Sequence, residues 1–234
     1  MSPPSRPTHP STDLLAVIPA RSGSKRIPNK NLRSFGGKPL VLWTIEAARQ
    51  SRSLSHVLVS TDSEAIADVA RAAGLDVPFL RPSHLATDTT PMVDVIQHAV
   101  QWAERGGRRV SAVATLQPTS PLRIADDIEA AIASYRSDPG RAVVSVALAS
   151  PRPEFWVRID GDALVPLSGF WPQARSQDLP PAYALNGAIF ITPRAVLEAG
   201  DLVGDRPRAH IMPRERSIDI DDESDWRIAE ALVR

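Results

Sequence analysis

The sequence of 234 residues contains no cysteine, and its few histidines are scattered. The lack of cysteine excludes a disulfide framework, a thiolate nucleophile and every zinc site that needs a cysteine ligand. The histidines are His9, His56, His84, His98 and His210. No two of them have the four-residue spacing of a helical zinc site, so the sequence argues against a zinc hydrolase.

The chain also lacks a net charge and a long hydrophobic run. Lys and Arg number 27 and Asp and Glu number 27, so no overall charge attracts it to nucleic acid or to an anionic membrane. Aromatic residues make up only 5%, which further disfavours a nucleic-acid binder. The longest apolar stretches, 14–20 and 142–149, are far shorter than the roughly 18 residues of a membrane span. We therefore expect neither a nucleic-acid partner nor a membrane partner.

Residues 1–12 contain four prolines among Ser, Thr and His, and no apolar segment. This composition predicts a disordered tail and not a signal peptide. The absence of cysteine also fits a reducing compartment. We therefore expect a cytoplasmic location, with residues 13–234 forming one domain.

After the tail, short apolar runs alternate with segments whose apolar residues recur every three to four positions. Such alternation is typical of an α/β fold, in which a mostly parallel, twisted sheet is covered by helices on both faces. Asp62 or Ser63 can cap a helix, and Pro91 suits a first helical turn. The predicted strands are 14–19, 56–60, 76–80, 110–116 and 142–149, and the predicted helices are 40–50, 63–73, 91–105 and 124–136.

The alternation breaks over residues 150–184, where six prolines accompany Trp156 and Trp171. This composition predicts an inserted arm or hairpin. Exposed aromatic residues in such an arm suit a subunit interface, and a lid packed on its own domain is the alternative. The regular pattern resumes with a predicted strand at 186–191 and ends with a predicted helix at 222–233.

A basic loop, residues 20–31, follows the first predicted strand directly. Residues 14–45 include no Asp or Glu but six basic residues. Ligands of open parallel sheets bind at the carboxyl ends of strands, and Gly23 lets the backbone turn its amides toward phosphate oxygens. The loop matches neither the Walker A pattern nor G-x-G-x-x-G, and the S-x-x-K pattern of Ser22 and Lys25 lacks its companion motifs. The loop indicates a triphosphate site, with a solvated basic loop as the alternative.

Residues 217–221 alternate apolar and acidic positions, which predicts a strand with Asp219 and Asp221 on one face. Carboxylates so close repel each other unless a cation lies between them, and Mg²⁺ binds one or two carboxylates together with substrate phosphates. The pair therefore indicates a magnesium clamp opposite the basic loop. In the alternative interpretation, these residues with Asp222 and Glu223 only favour the start of the last helix.

Three more segments are candidates for binding. Residues 116–123 follow a predicted strand, and Gln117, Thr119 and Ser120 offer donors and acceptors for a base or a sugar. Residues 81–89 are similarly polar, with a capping loop as the alternative. Residues 183–190 contain a glycine at a position where close backbone approach is expected.

Taken together and in this order, the segments resemble the CMP-sialic acid synthetase family, cytidylyltransferases that activate nine-carbon 2-keto sugar acids. The resemblance extends over about residues 14–232. It implies a Rossmann-like nucleotidyltransferase fold, a homodimer formed through the inserted arm, and a requirement for Mg²⁺. It also implies that CTP is joined to a nonulosonic acid with release of pyrophosphate.

The resemblance further assigns individual residues. Nucleotide binding falls to Ala20, Arg21, Ser22, Gly23, Lys25, Lys30, Asn31, Ala86 and Thr87. Sugar binding falls to Gln117, Arg175, Asn186 and Phe190. Asp219 and Asp221 match the metal-binding pair, and with Arg21 and Lys30 they form the implied catalytic set.

Some positions differ among branches of the family. Arg26 stands where sialic-acid members have Gly, as in the pseudaminic-acid branch, whereas residues 117–121 are similar to the sialic or legionaminic branch. Phe155 and Trp156 stand where some members have a Lys. The sequence therefore leaves the nonulosonic acid and any general base open. Two alternatives are a cytidylyltransferase for an eight-carbon keto-deoxy sugar acid and a nucleotide-binding module without turnover.

Overall fold

The computed structural model describes residues 13–233, so the predicted tail lies outside the described residues. Most strands of the central sheet are short and apolar, and most of the α-helices have nine or more residues. The strands are β1 (Leu14–Pro19), β2 (Ser34–Phe35), β3 (Lys38–Pro39), β4 (His56–Ser60), β5 (Ala112–Leu116), β6 (Val143–Leu148), β7 (Val157–Asp160), β8 (Ala163–Pro166), β9 (Tyr183–Pro193) and β10 (Arg208–Ile211). The α-helices are α1 (Leu40–Gln50), α2 (Glu64–Ala72), α3 (Met92–Arg105), α4 (Ala125–Ser137), α5 (Arg194–Glu198) and α6 (Glu223–Leu232).

A six-stranded sheet in the order β10-β6-β9-β5-β1-β4 forms the centre of the fold. β1 is parallel to β4 and β5, and β10 is parallel to β6, whereas β9 is antiparallel to both of its neighbours. The mostly parallel sheet predicted from the sequence is confirmed. Because β9 runs in the opposite direction, its first residues lie at the edge where β1 and β5 end.

Helices cover both faces of the sheet, as predicted. On one face, Ile45 of α1 and Ile132 of α4 belong to one buried cluster with Ile18 of β1. On the other face, Ile96 of α3 clusters with Val17 of β1. The alternating side chains of β1 therefore serve two cores, which explains why all six of its residues are buried.

The predicted strand at 76–80 is wrong. Only two isolated bridges, Leu58 with Asp76 and Thr61 with Leu80, join this segment to the chain around β4. Pro78 has no amide hydrogen to donate, so it interrupts a continuous ladder. The segment therefore lies along the sheet without becoming a regular strand.

The predicted strand at 217–221 is also wrong. These residues follow a single 3-10 turn at Arg214–Arg216 and run to α6 as irregular chain outside any ladder. Ile220 N donates instead to Thr119 O, at 2.8 Å. The segment with alternating apolar and acidic residues is therefore held by a contact with a distant loop and not by strand pairing.

Residues 150–184 contain a hairpin in which β7 pairs with β8. Ile159 and Leu164 face each other across it and are 75% and 56% exposed. Phe170 and Trp171 are exposed as well, at 62% and 53%. This segment therefore carries apolar surface that its own domain leaves uncovered.

Among residues 13–233, no helix combines the length and the apolarity that crossing a bilayer requires.

Candidate active site

Four segments meet at the edge of the sheet where β1 and β5 end. The basic loop follows β1, residues 117–124 follow β5, and β9 begins at the same edge. The acidic segment, residues 217–221, lies beside them because of the hydrogen bond between Ile220 and Thr119. The carboxyl edge of a parallel sheet is where open α/β folds bind ligands.

Two hydrogen bonds fix the ends of the basic loop. Ala20 N donates to Ser60 O at 2.9 Å, which ties the start of the loop to β4. Asn31 Nδ2 donates to Arg21 O at 2.9 Å, so this side chain closes the loop across its base. Three predicted nucleotide-binding residues, Ala20, Arg21 and Asn31, are therefore close together.

Asp62 anchors the middle of the basic loop. It accepts hydrogen bonds from Ser22 N at 2.8 Å and from Ser22 Oγ at 2.6 Å. Burial raises the pKa of Asp62, but the hydrogen bonds from Ser22 outweigh that effect and bring the pKa below its ordinary value. The cap of α2 is Ser63, whose Oγ accepts from Ile66 N at 3.4 Å. The sequence indicated Asp62 only as a possible helix cap, although its place two residues after β4 was a signal of a role at this edge.

Asp88 pairs with two cations of the basic loop. Its carboxylate lies 2.5 Å from Arg21 Nη1 and 2.7 Å from Lys25 Nζ. Hydrogen bonds from Lys25 and Arg21 lower the pKa of Asp88. Ala86 and Thr87 directly precede Asp88 in the chain, so the contact is made by the segment assigned to the nucleotide. The sequence indicated residues 81–89 as a candidate binding segment but did not identify Asp88 within it.

Asp221 lies at the other end of the basic loop. Its carboxylate is 3.2 Å from Arg26 Nη1 and 3.9 Å from Lys30 Nζ. Lys30 Nζ also donates to Ile220 O at 2.7 Å. Burial lowers the pKa of Lys30, whereas Asp221 and Asp219 act in the opposite direction. The basic loop and the acidic segment thus face each other through Lys30.

Asp219 lies against the start of β9. Burial by surrounding protein raises its pKa, a hydrogen bond from Thr119 lowers it, and the charge of Asp221 raises it again, with a net increase. The residue as a whole is nevertheless exposed to solvent, so its carboxyl lies in an open cleft. A Cβ at Gly187 would lie 3.3 Å from Asp219 Oδ2 and 3.5 Å from Gln117 Nε2, and its φ is 70°. Glycine is needed here because of both the crowding and the positive φ.

The two carboxylates suit the Mg²⁺ that the resemblance implies. Asp219 is a carboxyl whose pKa is raised by burial and by a neighbouring like charge, and a divalent cation would relieve both effects. Within residues 13–233, no group of three or more His, Asp or Glu could hold an ion. Mg²⁺ usually takes one or two carboxylates and completes its shell with water and phosphate oxygens, so a pair is sufficient.

Asn186, assigned to sugar binding, has a buried side chain at the start of β9. Its Nδ2 donates to Ser217 Oγ at 2.9 Å, and its Oδ1 accepts from Ser145 Oγ at 2.6 Å and from Ala188 N at 3.2 Å. Both ends of the amide are therefore engaged within the protein. In this structure Asn186 fastens the beginning of the acidic segment to β6 and β9.

Two other residues assigned to the sugar are not brought to the cleft by any contact within residues 13–233. Phe190 pairs with Thr115 in the register of the sheet. It lies four residues, or roughly 13 Å, along β9 from Asn186. Arg175 is exposed in the arm, where its Nε donates to Asp178 Oδ2 at 2.8 Å.

A cavity of about 200 Å³ lies between the basic loop and residues 117–119. Gly23, Lys30 and Gln117 line it, together with Arg81. The sequence did not predict a place in the site for Arg81. Arg81 is buried, and its Nη2 donates to Ser60 O at 2.8 Å. The cavity thus joins the predicted nucleotide residues to the predicted sugar residue Gln117.

Known proteins share this sequence and fold. The sequence pattern of the family described as cytidylyltransferase matches residues 15–163. The chain is 38% identical to the CMP-N,N'-diacetyllegionaminic acid synthase of Legionella pneumophila, over 94% of this chain and 96% of that protein. It is 36% identical to an N-acylneuraminate cytidylyltransferase of Escherichia coli, over 93% of this chain and 51% of that longer protein.

The fold is similar to that of a solved CMP:2-keto-3-deoxy-manno-octonic acid synthetase complexed with CTP. The TM-score is 0.70 at 20% identity, with 94% of this chain and 97% of that chain covered. This likeness confirms the nucleotidyltransferase fold. Because the family pattern covers more than half of the chain and the Legionella relative matches nearly end to end, the chain belongs to the cytidylyltransferase family.

Proposed function

We propose that this protein couples CTP to a nine-carbon 2-keto-3-deoxy sugar acid, giving the CMP-sugar and pyrophosphate. The observation that carries the proposal is the cleft in which the basic loop faces Asp219 and Asp221. Phosphoryl-group chemistry depends on alignment of the reactants and on neutralisation of phosphate charge, and the cleft offers residues for both. The names of the Legionella and Escherichia coli relatives support this reaction.

In the proposed complex, the triphosphate replaces Asp88 as the partner of Arg21 and Lys25. Both cations already converge on one carboxylate, at 2.5 and 2.7 Å. Exchange of carboxylate oxygens for phosphate oxygens keeps charge-assisted hydrogen bonds of the same kind. The nucleoside end then lies against Ala20 and the 86–87 segment, as the resemblance implies.

Asp219 and Asp221 would hold the Mg²⁺ of this reaction. When bound, the ion neutralises charge on the phosphates as the pyrophosphate departs. Arg26 and Lys30, which lie beside Asp221, are close enough to the same place to bind phosphate oxygens. The acidic pair and the basic loop would thus act on opposite sides of the triphosphate.

The residues of the cleft bind and orient, and none of them forms a covalent intermediate. The anomeric hydroxyl of the sugar attacks the α-phosphorus and releases its proton to water, while the bond from that phosphorus to the oxygen shared with the β-phosphorus breaks and pyrophosphate leaves. Lys30 and Arg21 stabilise the charge that collects on the phosphate oxygens. Gln117, whose Nε2 faces Gly187 and Asp219, would orient the sugar.

We also propose a cytoplasmic homodimer formed through residues 150–184. The exposed side chains of Ile159, Leu164, Phe170 and Trp171 form apolar surface of a kind that interfaces use. A second copy of the chain is the expected occupant, since the resemblance implies pairing through this arm. Arg175 would then approach the sugar site of the partner.

N,N'-diacetyllegionaminic acid is the first substrate to test, because the relative that is 38% identical is named for it. The protein is incubated with CTP, Mg²⁺ and one acid at a time, and pyrophosphate release and the mass of the CMP-sugar are measured. The panel adds N-acetylneuraminic acid, pseudaminic acid and an eight-carbon keto-deoxy acid. Turnover of a nine-carbon acid is expected. Turnover of the eight-carbon acid alone, or CTP binding without turnover on any acid, contradicts the proposal.

A further inference from the structure

Arg123 is the largest fully buried side chain in the described part of the chain, with 1% of its surface exposed. Within residues 13–233 no carboxylate lies within ion-pair distance of it, and the nearby Asp127 pairs with Arg216 at 2.9 Å. Burial lowers the pKa of Arg123 to about 10, and the charge of Asp127 counteracts this only in part. A buried cation without a paired carboxylate is unfavourable for folding, which suggests a role beyond stability.

The hydrogen bonds of Arg123 end on backbone of the site. Its Nη1 donates to Ala188 O at 2.8 Å and to Gln117 O at 3.2 Å, and its Nη2 donates to Thr44 Oγ1 at 2.7 Å. Thr44 Oγ1 lies 3.4 Å from Gln117 O as well. The guanidinium thus joins the loop after β5, the start of β9 and helix α1.

These bonds begin where the sheet stops. The register of β5 with β9 ends at the pair Leu116 and Ile189, so Gln117 and Ala188 are the next residues on each side. Beyond the ladder, strand pairing no longer fixes the distance between the two segments. Arg123 takes over that task with a planar, rigid set of donors, a geometry that a lysine lacks.

The two segments carry the groups that face Asp219. Gln117 Nε2 lies 3.5 Å, and Asp219 Oδ2 lies 3.3 Å, from the position that a Cβ of Gly187 would take. A small shift of either segment would therefore change the space around Asp219. Arg123 acts on this space only through the backbone oxygens of Gln117 and Ala188, which accept its hydrogen bonds.

We infer that Arg123 is a positioning residue that sets the spacing of Gln117 and Gly187 around Asp219, and thereby the geometry of the sugar-acid end of the cleft. The identity of that end rests on the proposed function. The spacing itself does not, because it follows from hydrogen bonds in the structure. The two statements can therefore be tested separately.

The first experiment compares Arg123→Lys with Arg194→Lys as a matched control, since Arg194 donates two hydrogen bonds to Glu104 of α3 and adjoins none of the cleft segments. For Arg123→Lys, kcat/KM for the sugar acid is expected to fall about 10- to 100-fold, because small misplacements are costly in catalysis. KM for CTP is expected to change less than about threefold, since the basic loop is untouched. Arg194→Lys is expected to lower the melting temperature without this difference between the two substrates. A KM for CTP that rises by as large a factor as kcat/KM for the sugar acid falls would overturn the inference. An unchanged kcat/KM for the sugar acid would overturn it as well.

Amide hydrogen exchange of the same two variants gives a readout that does not depend on turnover. Faster exchange confined to the segments around Gln117 and Gly187 is expected in Arg123→Lys and not in Arg194→Lys. This pattern in a protein that turns over no sugar acid would refute the proposed function and keep the positioning role. Faster exchange spread across the whole sheet would refute the positioning role.

Thr44→Val covers the case in which every Arg123 variant is insoluble. Valine keeps the shape of the side chain and removes both the acceptor of Arg123 Nη2 and the hydroxyl that donates to Gln117 O. The same split between sugar acid and CTP is expected, with a smaller loss because two of the three arginine contacts remain. An unchanged kcat/KM for the sugar acid in Thr44→Val, together with unchanged exchange around Gln117, would then overturn the inference.

Discussion

Asp221 and Asp222 are adjacent in the chain and have different roles. Asp221 faces the cleft, with Arg26 3.2 Å from its carboxylate. Asp222 Oδ1 accepts from Ser224 N at 2.8 Å and from Asp225 N at 3.0 Å, so it caps α6. The two neighbours offer matched variants that separate catalysis from stability.

Asp221→Ala is expected to lower kcat by about 100-fold or more, because half of the proposed magnesium clamp is removed. The melting temperature is expected to change little, since the side chain is 59% exposed. Pyrophosphate release across a Mg²⁺ titration, combined with a thermal scan, measures both effects. Wild-type activity at limiting Mg²⁺ would refute the metal assignment.

Asp222→Ala is expected to do the opposite. Loss of the cap lowers the free energy of unfolding, whereas kcat stays close to that of the unchanged protein. Hydrogen bonds from the Asp225 and Ser224 amides lower the pKa of Asp222, as expected for a charged cap. Asp222→Asn keeps an acceptor and serves as the control in urea unfolding. A loss of activity as large as that of Asp221→Ala would show that the two roles are not separate.

Among individual residues, those directly after strands were predictable. Arg21, Lys30 and Gln117 all line the cavity, because the ends of parallel strands share one edge. Asp88 and Arg81 lie in a polar loop without periodicity, so the sequence did not show which of its side chains point inward. Their positions depend on the tertiary path of that loop.

At the scale of elements, Glu129 joins α4 to the turn after α1. It accepts from Ser51 Oγ at 2.6 Å and from Ser53 N and Oγ at 2.8 and 2.7 Å. Burial raises the pKa of Glu129, but these hydrogen bonds outweigh it and lower the pKa below its ordinary value of 4.5. Because the folded-state pKa is the lower one, the carboxylate stabilises the fold above the unfolded-state pKa, and this contribution is lost as the pH falls through the folded value.

Glu129→Gln is therefore expected to lower the free energy of unfolding by about 1 kcal/mol near pH 7. The difference from the unchanged protein is expected to shrink as the pH falls below 4.5, where the wild-type carboxyl also becomes neutral. Urea unfolding of both proteins near pH 7 and near pH 3 measures this change. An equal difference at both values would contradict the account of Glu129.

The elements that the sequence predicted well are those whose pattern is local. Helix α1 was predicted at its observed bounds, and α3 and α4 within one residue at each end, because their apolar residues repeat with the helical period. The segments 76–80 and 217–221 read as strands, yet Pro78 interrupts one and a bond to Thr119 holds the other. The first error neglected a local feature, the missing amide hydrogen of Pro78, whereas the second arises where a distant part of the chain holds the segment.

At the scale of the whole molecule, the apolar surface of the arm has a testable consequence. We expect the unchanged protein to have twice the mass of one chain in solution at micromolar concentration. Ile159→Lys combined with Leu164→Lys is expected to give a monomer, because two charges then replace a facing apolar pair. Light scattering after size exclusion measures the mass.

Ile228→Lys is the control for this experiment, because Ile228 is 52% exposed on α6 and lies outside the arm. It is expected to leave the dimer intact. A monomeric unchanged protein, or a dimer that survives the double substitution in the hairpin, would contradict assembly through the arm.

The most direct test of the account labels the anomeric oxygen of the sugar acid with ¹⁸O. The protein is mixed with CTP, Mg²⁺ and the labelled nine-carbon acid, and the products are followed by ³¹P NMR and mass spectrometry. Attack of the anomeric oxygen on the α-phosphorus predicts that the label appears in the CMP-sugar, at the oxygen between sugar and phosphorus, and that pyrophosphate is unlabelled. An unlabelled CMP-sugar, a labelled pyrophosphate, or no product with any nine-carbon acid would contradict the account.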